Sequence, residues 1–209
     1  MRDGQVVASP EAAAFPADNS AVDLLVDRHD VLWAATPQGL WRLARGSAKQ
    51  VRSGDIRSLA LAGDVLWVRT RNDGLWKIVG DRISAHPDAP GCKGSWVATH
   101  QAGDLYTSCA QGIWRWDAAA LQWSRISDAI GVGPLHLDRD GAVWFGSREG
   151  LTRWHEGRTE VRRGELKLPD WRMRAFHRDS AGDLWLGTFS SGLVRLHDGV
   201  VRTIGAAEG

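Results

Sequence analysis

The sequence predicts an all-β protein in which four-stranded antiparallel blades repeat along the chain, the architecture of a β-propeller. One observation is a series of aromatic residues on short strands, separated by 34, 39, 38 and 41 residues, at Trp33, Trp67, Tyr106, Trp144 and Trp185. A second is that each aromatic is followed by Thr, Ser or Cys and then by a Gly that opens another strand. Four short strands with tight turns in each period of about 40 residues are typical of a propeller blade.

The repeat divides the chain into five full blades. Blade 1 is assigned to residues 21–53, blade 2 to 54–88, blade 3 to 89–128, blade 4 to 129–165, and blade 5 with the start of a further connection to 166–209. Residues 1–20 are interpreted as the remnant outer strand of a preceding blade plus a connector. Five repeats allow either an incomplete ring or a ring that closes at five.

Composition argues against several classes of partner. The 209 residues carry 26 Lys and Arg against 25 Asp and Glu, a formal charge of +1. That balance provides no electrostatic reason to expect nucleic acid as a partner. No apolar run approaches the ~20 residues of a membrane span, and no signal peptide precedes the repeats. We therefore expect no nucleic acid, no membrane segment in this chain, and no cofactor or metal.

The five repeat aromatics are expected to be buried structural residues. Each is large enough to fill the gap between neighbouring blades. Small residues two positions later would let the next blade approach, at Ala35, Ser108, Gly146 and Gly187. Arg69 departs from this pattern in blade 2.

The last repeat contains the pattern Asp-x-x-Gly-x-Leu-Trp-x-Gly-Thr and then Gly-Leu-x-Arg-Leu, from Asp179 to Leu196. This pattern resembles the two-component regulator propeller repeat, and the resemblance covers residues 21–205. It implies a sensory region of a bacterial signalling protein, usually periplasmic or otherwise extracytoplasmic, ahead of a membrane span and a kinase or cyclase output domain. The resemblance also favours a partial ring, so further blades or an output domain are expected partners in the parent chain.

The predicted ligand-binding surface is one face of the blades, where connections lead into each first strand and join second to third strands. Loops held on a rigid scaffold are where binding residues concentrate. Aromatic and Arg side chains there suit an anionic or carbohydrate-like ligand, or a protein partner. Ordinary solvated charge with two Trp in blade packing is the alternative. The candidates are Trp96, Trp171, Arg172, Arg174, Arg57, Arg71 and Arg148.

Two histidines share one position in the repeat. His136 and His177 each lie eight residues before the repeat Trp, where the other blades have Leu25, Leu59 and Ala98. One interpretation is an interior His satisfied by a neighbouring Asp. The other is a pair of imidazoles that face a central channel and bind an anion or a metal, although two ligands make a weak metal site.

Cys92 and Cys109 are a candidate disulfide pair. Cys92 lies in the connection that leads into blade 3, and Cys109 ends the second strand of that blade, where other repeats have Thr or Ser. The start of one strand and the end of its antiparallel neighbour share an edge, within the reach of a disulfide. Two free thiols are the alternative.

The sequence contains no recognisable catalytic motif, so the first hypothesis is a non-catalytic sensory propeller that binds a small molecule, glycan or protein. The second is an enzyme similar to the streptogramin lyases, which would need a metal and a His–Glu pair; His136, His177 and Glu149 are the candidates. The third is a pure protein-interaction scaffold.

Overall fold

The computed structural model describes residues 15–16, 20–92, 96–100, 103–129, 133–162, 172–190, 192–198 and 200–204. Within these ranges the regular elements are all strands, and they form five four-stranded antiparallel sheets. In each sheet the strands are hydrogen-bonded in the order of the sequence. The fold is thus an all-β propeller of five blades, as the repeat predicts. None of the described residues belongs to a helix long and apolar enough to span a membrane.

The strands of each blade are short and follow one another closely. Blade 1 comprises β1 (Asp23–Val26), β2 (Leu32–Ala35), β3 (Gly39–Ala44) and β4 (Ser47–Ser53). Blade 2 comprises β5 (Ile56–Ala62), β6 (Val65–Thr70), β7 (Leu75–Val79) and β8 (Arg82–His86). Blade 3 comprises β9 (Trp96–Thr99), β10 (Leu105–Cys109), β11 (Gly112–Asp117) and β12 (Gln122–Ser127). Blade 4 comprises β13 (Leu135–Leu137), β14 (Val143–Ser147), β15 (Gly150–His155) and β16 (Arg158–Arg162). Blade 5 comprises β17 (Met173–Arg178), β18 (Leu184–Thr188), β19 (Leu193–His197) and β20 (Val200–Ile204).

The chain divides into two compact units, Met1–Pro87 with blades 1 and 2 and Asp88–Gly209 with blades 3 to 5. In the first unit, Trp33 of blade 1 belongs to one apolar cluster with Leu59 and Val68 of blade 2. In the second unit, Trp144 of blade 4 belongs to a cluster with Leu184 and Leu186 of blade 5. Apolar packing between successive blades therefore forms the core of each unit.

Four of the five repeat aromatics are buried, but Trp185 is only half-buried. On the same face of blade 5, Leu193 and Ile204 are also exposed. The expectation of five equally buried rings is therefore wrong for blade 5. Trp144, by contrast, is buried in a cluster with Leu184 and Leu186 of the following blade.

A carboxylate six residues before the repeat Trp holds the indole in three of the blades. The indole Nε1 donates a hydrogen bond to an aspartate oxygen in the pairs Trp33–Asp27, Trp144–Asp138 and Trp185–Asp179, at 2.9, 2.9 and 2.8 Å. The same aspartates begin the turn between first and second strands. The Asp of the repeat thus closes a turn and satisfies the one polar group of a packed Trp.

A hydroxyl closes the connection between second and third strands in four blades. It donates to the carbonyl oxygen of the Gly that begins or directly precedes the third strand, in the pairs Thr36–Gly39, Thr70–Gly74, Ser147–Gly150 and Thr188–Gly192. Blade 3 has Cys109 at this position, and Cys109 forms a disulfide with Cys92 across a Cα–Cα distance of 5.4 Å. Both cysteines are buried. The side chain at the repeat Thr position of blade 3 thus makes no hydroxyl closure and instead ties the end of β10 to the connection that leads into β9.

Blade 2 corrects one equivalence inferred from sequence spacing. Leu25, Ala98, His136 and His177 each lie opposite the repeat aromatic of their blade, but in blade 2 Ala60 lies opposite Trp67, and Leu59 pairs with Val68. The reason is the two-residue turn Gly63–Asp64, which replaces the five-residue turn of the other blades. An odd change in the spacing moves each residue to the opposite face of the strand.

Candidate ligand-binding surface

The candidate arginines of blade 2 are engaged by a carboxylate within the same blade. Asp55 forms ion pairs with both arginines: Arg57 Nε lies 3.0 Å from one carboxylate oxygen, and Arg71 Nε lies 2.7 Å from the other. The Arg71 backbone N–H also donates to the Asp55 carbonyl at 2.8 Å. Arg57 and Arg71 thus form a local ion-pair network on the predicted face, and the carboxylate between them offsets part of their charge.

Blade 5 brings two candidate arginines together on an aromatic ring. The guanidinium carbon of Arg172 lies 4.5 Å from the centroid of Phe189, and that of Arg174 lies 4.6 Å from the same centroid. The Phe189 N–H donates to the Arg172 carbonyl at 3.0 Å, which ties the β18–β19 connection to the start of β17. Phe189 is 54% exposed, and both arginines are exposed. We call these three residues the Arg–Phe–Arg cluster.

A bulge in the first strand explains where Arg174 points. The pairing of β17 with β18 shifts between Met173 and Ala175, so Arg174 has no partner across the ladder. Met173 beside it is buried, while Arg174 is exposed. Bulges re-aim side chains at the edges of sheets, and this one turns a basic side chain toward the β18–β19 connection.

Arg148 lines a cleft between blades 3 and 4. The cleft has a volume of about 670 Å³ and lies beside the β14–β15 connection, with buried Phe145 in its lining. Its polar lining combines Arg125, Arg148 and Glu149 with several hydroxyls. Charges of both signs occur in the cleft, so it has no strong preference for an anion.

The two candidate tryptophans are placed differently. Trp96 is half-buried at the start of β9, and it lies opposite Ser108 on the face of blade 3 that carries Tyr106. The Ser108 hydroxyl donates to the Gly133 carbonyl of the connection that leads into blade 4. Trp96 therefore lies on the blade-packing face rather than on an open surface. Trp171 lies outside the described residues.

The two repeat histidines do not form a pair. His136 is packed between blades, stacked on Phe176 of blade 5 with ring centroids 6.2 Å apart, and its Nε2 is 3.5 Å from Asp138. Burial lowers the pKa of His136, and the nearby Asp138 carboxylate only partly opposes this effect. His177 is exposed on the other face of blade 5. The interpretation of two imidazoles facing one channel is not supported by this arrangement, whereas a His beside an Asp describes His136.

The residues proposed for a lyase-like site are also separated. His136 lines a cleft of about 450 Å³ beside the turns that begin at Asp138 and Asp179, whereas Glu149 lines the cleft next to Arg148. Across the described part of the chain, no three His, Cys, Asp or Glu side chains are grouped so that they could hold a metal ion. The described residues thus provide no assembled catalytic group of this class.

Phe189 and Asp55 are the residues of this surface that sequence analysis did not select as candidates for binding. Phe189 follows the repeat Thr188, and Arg71 follows the repeat Thr70. The residue directly after the repeat Thr thus lies on the predicted binding face in both blades, and this position could have identified Phe189 as a candidate. Recognising its partner would have required knowledge of the bulge in β17.

Comparison with known proteins rests on structure. No family model matches the chain, and no curated protein matches it. Among solved structures, the extracellular domain of the hybrid two-component system BT4673 from B. thetaiotaomicron aligns over 92% of this chain with a TM-score of 0.64 and 17% identity. The extracellular domain of the hybrid two-component system BT3049 from the same organism aligns over 89% of this chain, with a TM-score of 0.69 and 16% identity.

The chain spans about a third of each of those domains, 34% and 30% of their lengths. The gluconolactonase XC5397 from Xanthomonas campestris also aligns, over 84% of this chain and 72% of its own, with a TM-score of 0.67 and 13% identity. Identities at this level show the fold alone. By its fold, the chain is a β-propeller of the kind found in the extracellular domains of two-component systems, as the repeat resemblance predicts.

Proposed function

We propose that this chain is a non-catalytic sensory region. Its ligand binds to blade 5, on the face where connections lead into the first strand and join the second strand to the third. The observation that carries the proposal is the Arg–Phe–Arg cluster, in which two exposed arginines contact a largely exposed aromatic ring. Exposed Arg and aromatic side chains are the groups that dominate binding energy at recognition surfaces.

The scaffold supports the same proposal. Arg172 directly precedes β17, Arg174 is the second residue of that strand, and Phe189 follows the end of β18, so the pairing of β17 with β18 holds the three residues near one another. Binding residues held by paired strands lose little conformational freedom when a ligand arrives. The resemblance of the blade fold to extracellular domains of two-component systems supports a sensory role and an extracytoplasmic location. A disulfide between Cys92 and Cys109 is also what an oxidising compartment would favour.

An enzymatic role is the second candidate, and the similarity to the gluconolactonase XC5397 is the observation that favours it. A pure interaction scaffold is the third. The three candidate functions predict different outcomes for a small ligand. A sensor binds the ligand and leaves it unchanged, an enzyme converts it, and a scaffold does not bind it.

A ligand screen by thermal unfolding tests the proposal. The chain would be mixed with a panel of small molecules, oligosaccharides and peptides that includes neutral and charged members, and each mixture would be checked for chemical conversion. We expect at least one member to raise the melting temperature, because binding to the folded state alone stabilises it. The Phe189→Ser variant should unfold at nearly the same temperature without ligand and lose the shift. A ligand consumed during the assay, or no shift with any member, would contradict the proposal.

A further inference from the structure

We infer that a cleft between blades 1 and 2 binds an amphiphilic anion, a small molecule that joins a negatively charged head group to a saturated hydrocarbon chain. The cleft has a volume of about 740 Å³, which is within the range of small-molecule sites. The described residues that line it belong to the first unit, so the site is separate from the Arg–Phe–Arg cluster and goes beyond the proposed function. Its two walls differ in chemistry, and this difference identifies the class of ligand.

One wall of the cleft is a row of aliphatic side chains on blade 2. Leu66 pairs with Leu61 on one side and with Ile78 on the other. Ile78 in turn pairs with Ile83 of the last strand, so the row crosses all four strands, and every member lines the cleft. Leu66 and Ile78 are buried, whereas Ile83 is 36% exposed. The row thus continues from the apolar core to the solvent, where a hydrocarbon chain can cover it.

The other wall, on blade 1, becomes basic toward the outer strands. Trp33 of β2 belongs to one apolar cluster with Leu66 and Ile78, so the two sheets are in contact there. Arg42 of β3 lies opposite Trp33, and Lys49 of β4 lies opposite Arg42, on the same face of the sheet. Both cations are exposed and line the cleft. Like charges directly opposite each other on a sheet are destabilising, and an anion bound to both would relieve this repulsion.

Three other blades neutralise the equivalent cation with a carboxylate of their own. In blades 3, 4 and 5 an arginine opposite the repeat aromatic pairs with an aspartate of the turn between first and second strands. The pairs are Arg115–Asp104, Arg153–Asp140 and Arg195–Asp183. In blade 1 the positions of these aspartates, four and two residues before the repeat Trp, are occupied by His29 and Val31. Blade 1 therefore has the arginine without that carboxylate, and within the described ranges neither Arg42 nor Lys49 forms an ion pair.

The carboxylates that line the cleft do not cancel the charge of this wall. Asp27 accepts the indole N–H of Trp33 at 2.9 Å, and Asp64 pairs with Arg28 across the two blades. Asp81 lies on blade 2, in the turn between β7 and β8, where it disfavours a negative charge on that side. The described lining from blade 1 has one carboxylate against three Arg and Lys side chains, so it attracts a negatively charged group.

The two walls together define how the ligand lies. A guanidinium has paired N–H donors that match a carboxylate or a phosphate, and a neighbouring ammonium adds a compact positive charge. The head group therefore binds at Arg42 and Lys49, and the hydrocarbon chain lies along the aliphatic row of blade 2. Carboxylate and phosphate share this head-group chemistry, so alkyl carboxylates and alkyl phosphates are the two forms to compare.

Calorimetric binding of alkyl probes with chains of similar length tests the inference. Octanoate and octyl phosphate supply the two anionic head groups, octanamide is the neutral comparator, and acetate is an anion without the chain. We expect the better of the two anions to bind at least about tenfold more tightly than octanamide, because only an anion uses the basic wall. Acetate should bind far more weakly than octanoate, since each methylene that becomes buried is worth about fourfold in affinity.

Substitutions at exposed positions locate the site. Arg42→Gln and Lys49→Gln should each weaken octanoate binding by about tenfold, and the double variant should bind octanoate and octanamide equally. Ile83→Ser should weaken both probes alike, because it shortens the aliphatic row. Arg82→Gln is the matched control, since Arg82 is exposed on the same strand as Ile83 but outside the described lining of the cleft, and it should change affinity less than about twofold. A urea midpoint for each variant checks that the fold persists.

The outcomes separate this inference from the proposed function. Phe189→Ser should bind octanoate as the unaltered chain does, because Phe189 belongs to the other unit. If Phe189→Ser lost octanoate binding and Arg42→Gln kept it, the ligand would occupy blade 5, and this inference would be wrong while the sensory proposal stands. If neither anion binds at millimolar concentration, or octanoate and octanamide bind equally to the unaltered chain, the inference is wrong whatever the ligand screen finds. Equal losses in Arg42→Gln and Arg82→Gln would also contradict it.

Discussion

Asp138 joins blades 4 and 5, and its removal should destabilise the second unit. One carboxylate oxygen accepts Arg178 Nε at 2.5 Å, and the other accepts Arg178 Nη2 at 2.7 Å and Trp144 Nε1 at 2.9 Å. The side chains of Asp138 and Arg178 are only 15% and 29% exposed. Because charge-assisted hydrogen bonds at partly buried sites are worth more than surface ion pairs, we expect Asp138→Ala to lower the free energy of unfolding by about 2–4 kcal/mol.

A double-mutant cycle isolates the contact between the blades. Asp138→Ala, Arg178→Ala and the double variant would be unfolded in urea and followed by tryptophan fluorescence. We expect a coupling energy of about 1–2 kcal/mol, since the two-bond contact is lost in either single variant. Asp179 provides the matched control, because it holds Trp185 in the same way but its described bonds all lie within blade 5. A coupling below about 0.5 kcal/mol between Asp138 and Arg178 would refute the reasoning.

Three further predictions concern the core, the disulfide and pH. Trp144→Ala should cost about 3–5 kcal/mol in urea unfolding, and Trp185→Ala distinctly less, because Trp185 is only half-buried; equal losses would contradict this. Replacing both Cys92 and Cys109 by Ser should lower stability by about 3 kcal/mol, and a reductant should do the same to the unaltered chain but not to the variant. Burial lowers the pKa of His136 below its ordinary 6.5, so the unfolded chain binds the proton more readily and stability should fall as the pH drops through 6.5. Urea midpoints from about pH 7 to about pH 5 should show less of this loss in His136→Phe, and an unchanged slope would count against it.

The blades could be predicted from the sequence because their determinants are local and repeated. The spacing of the aromatics, the Gly that opens each third strand, and the Asp and Gly of the turns each act within a few residues of the chain. Such signals are read directly from one repeat and checked against the next. The resemblance to the two-component regulator repeat rests on these same positions.

The parts that were not predicted depend on register and on neighbours. The equivalence assigned to Leu59 is wrong because the turn Gly63–Asp64 is shorter than its counterparts, which alters the pairing opposite Trp67. The contact of Phe189 with two arginines depends on a bulge in β17, and no pattern in the sequence marks that bulge. The partial exposure of Trp185 depends on what packs against its blade rather than on the repeat itself.

The disulfide gives blade 3 a chemical dependence that its sister blades lack. Thr36, Thr70, Ser147 and Thr188 close their connections with hydroxyl groups, which function alike under reducing and oxidising conditions. Cys109 instead joins the end of β10 to the connection that leads into β9, and it does so only when an oxidant has removed two electrons and two protons from the thiol pair. In a reducing environment four blades would keep their hydroxyl closures, and blade 3 would lose the covalent link between β10 and the connection that leads into β9. The redox potential of the surroundings therefore affects the stability of blade 3, through the bond between Cys92 and Cys109.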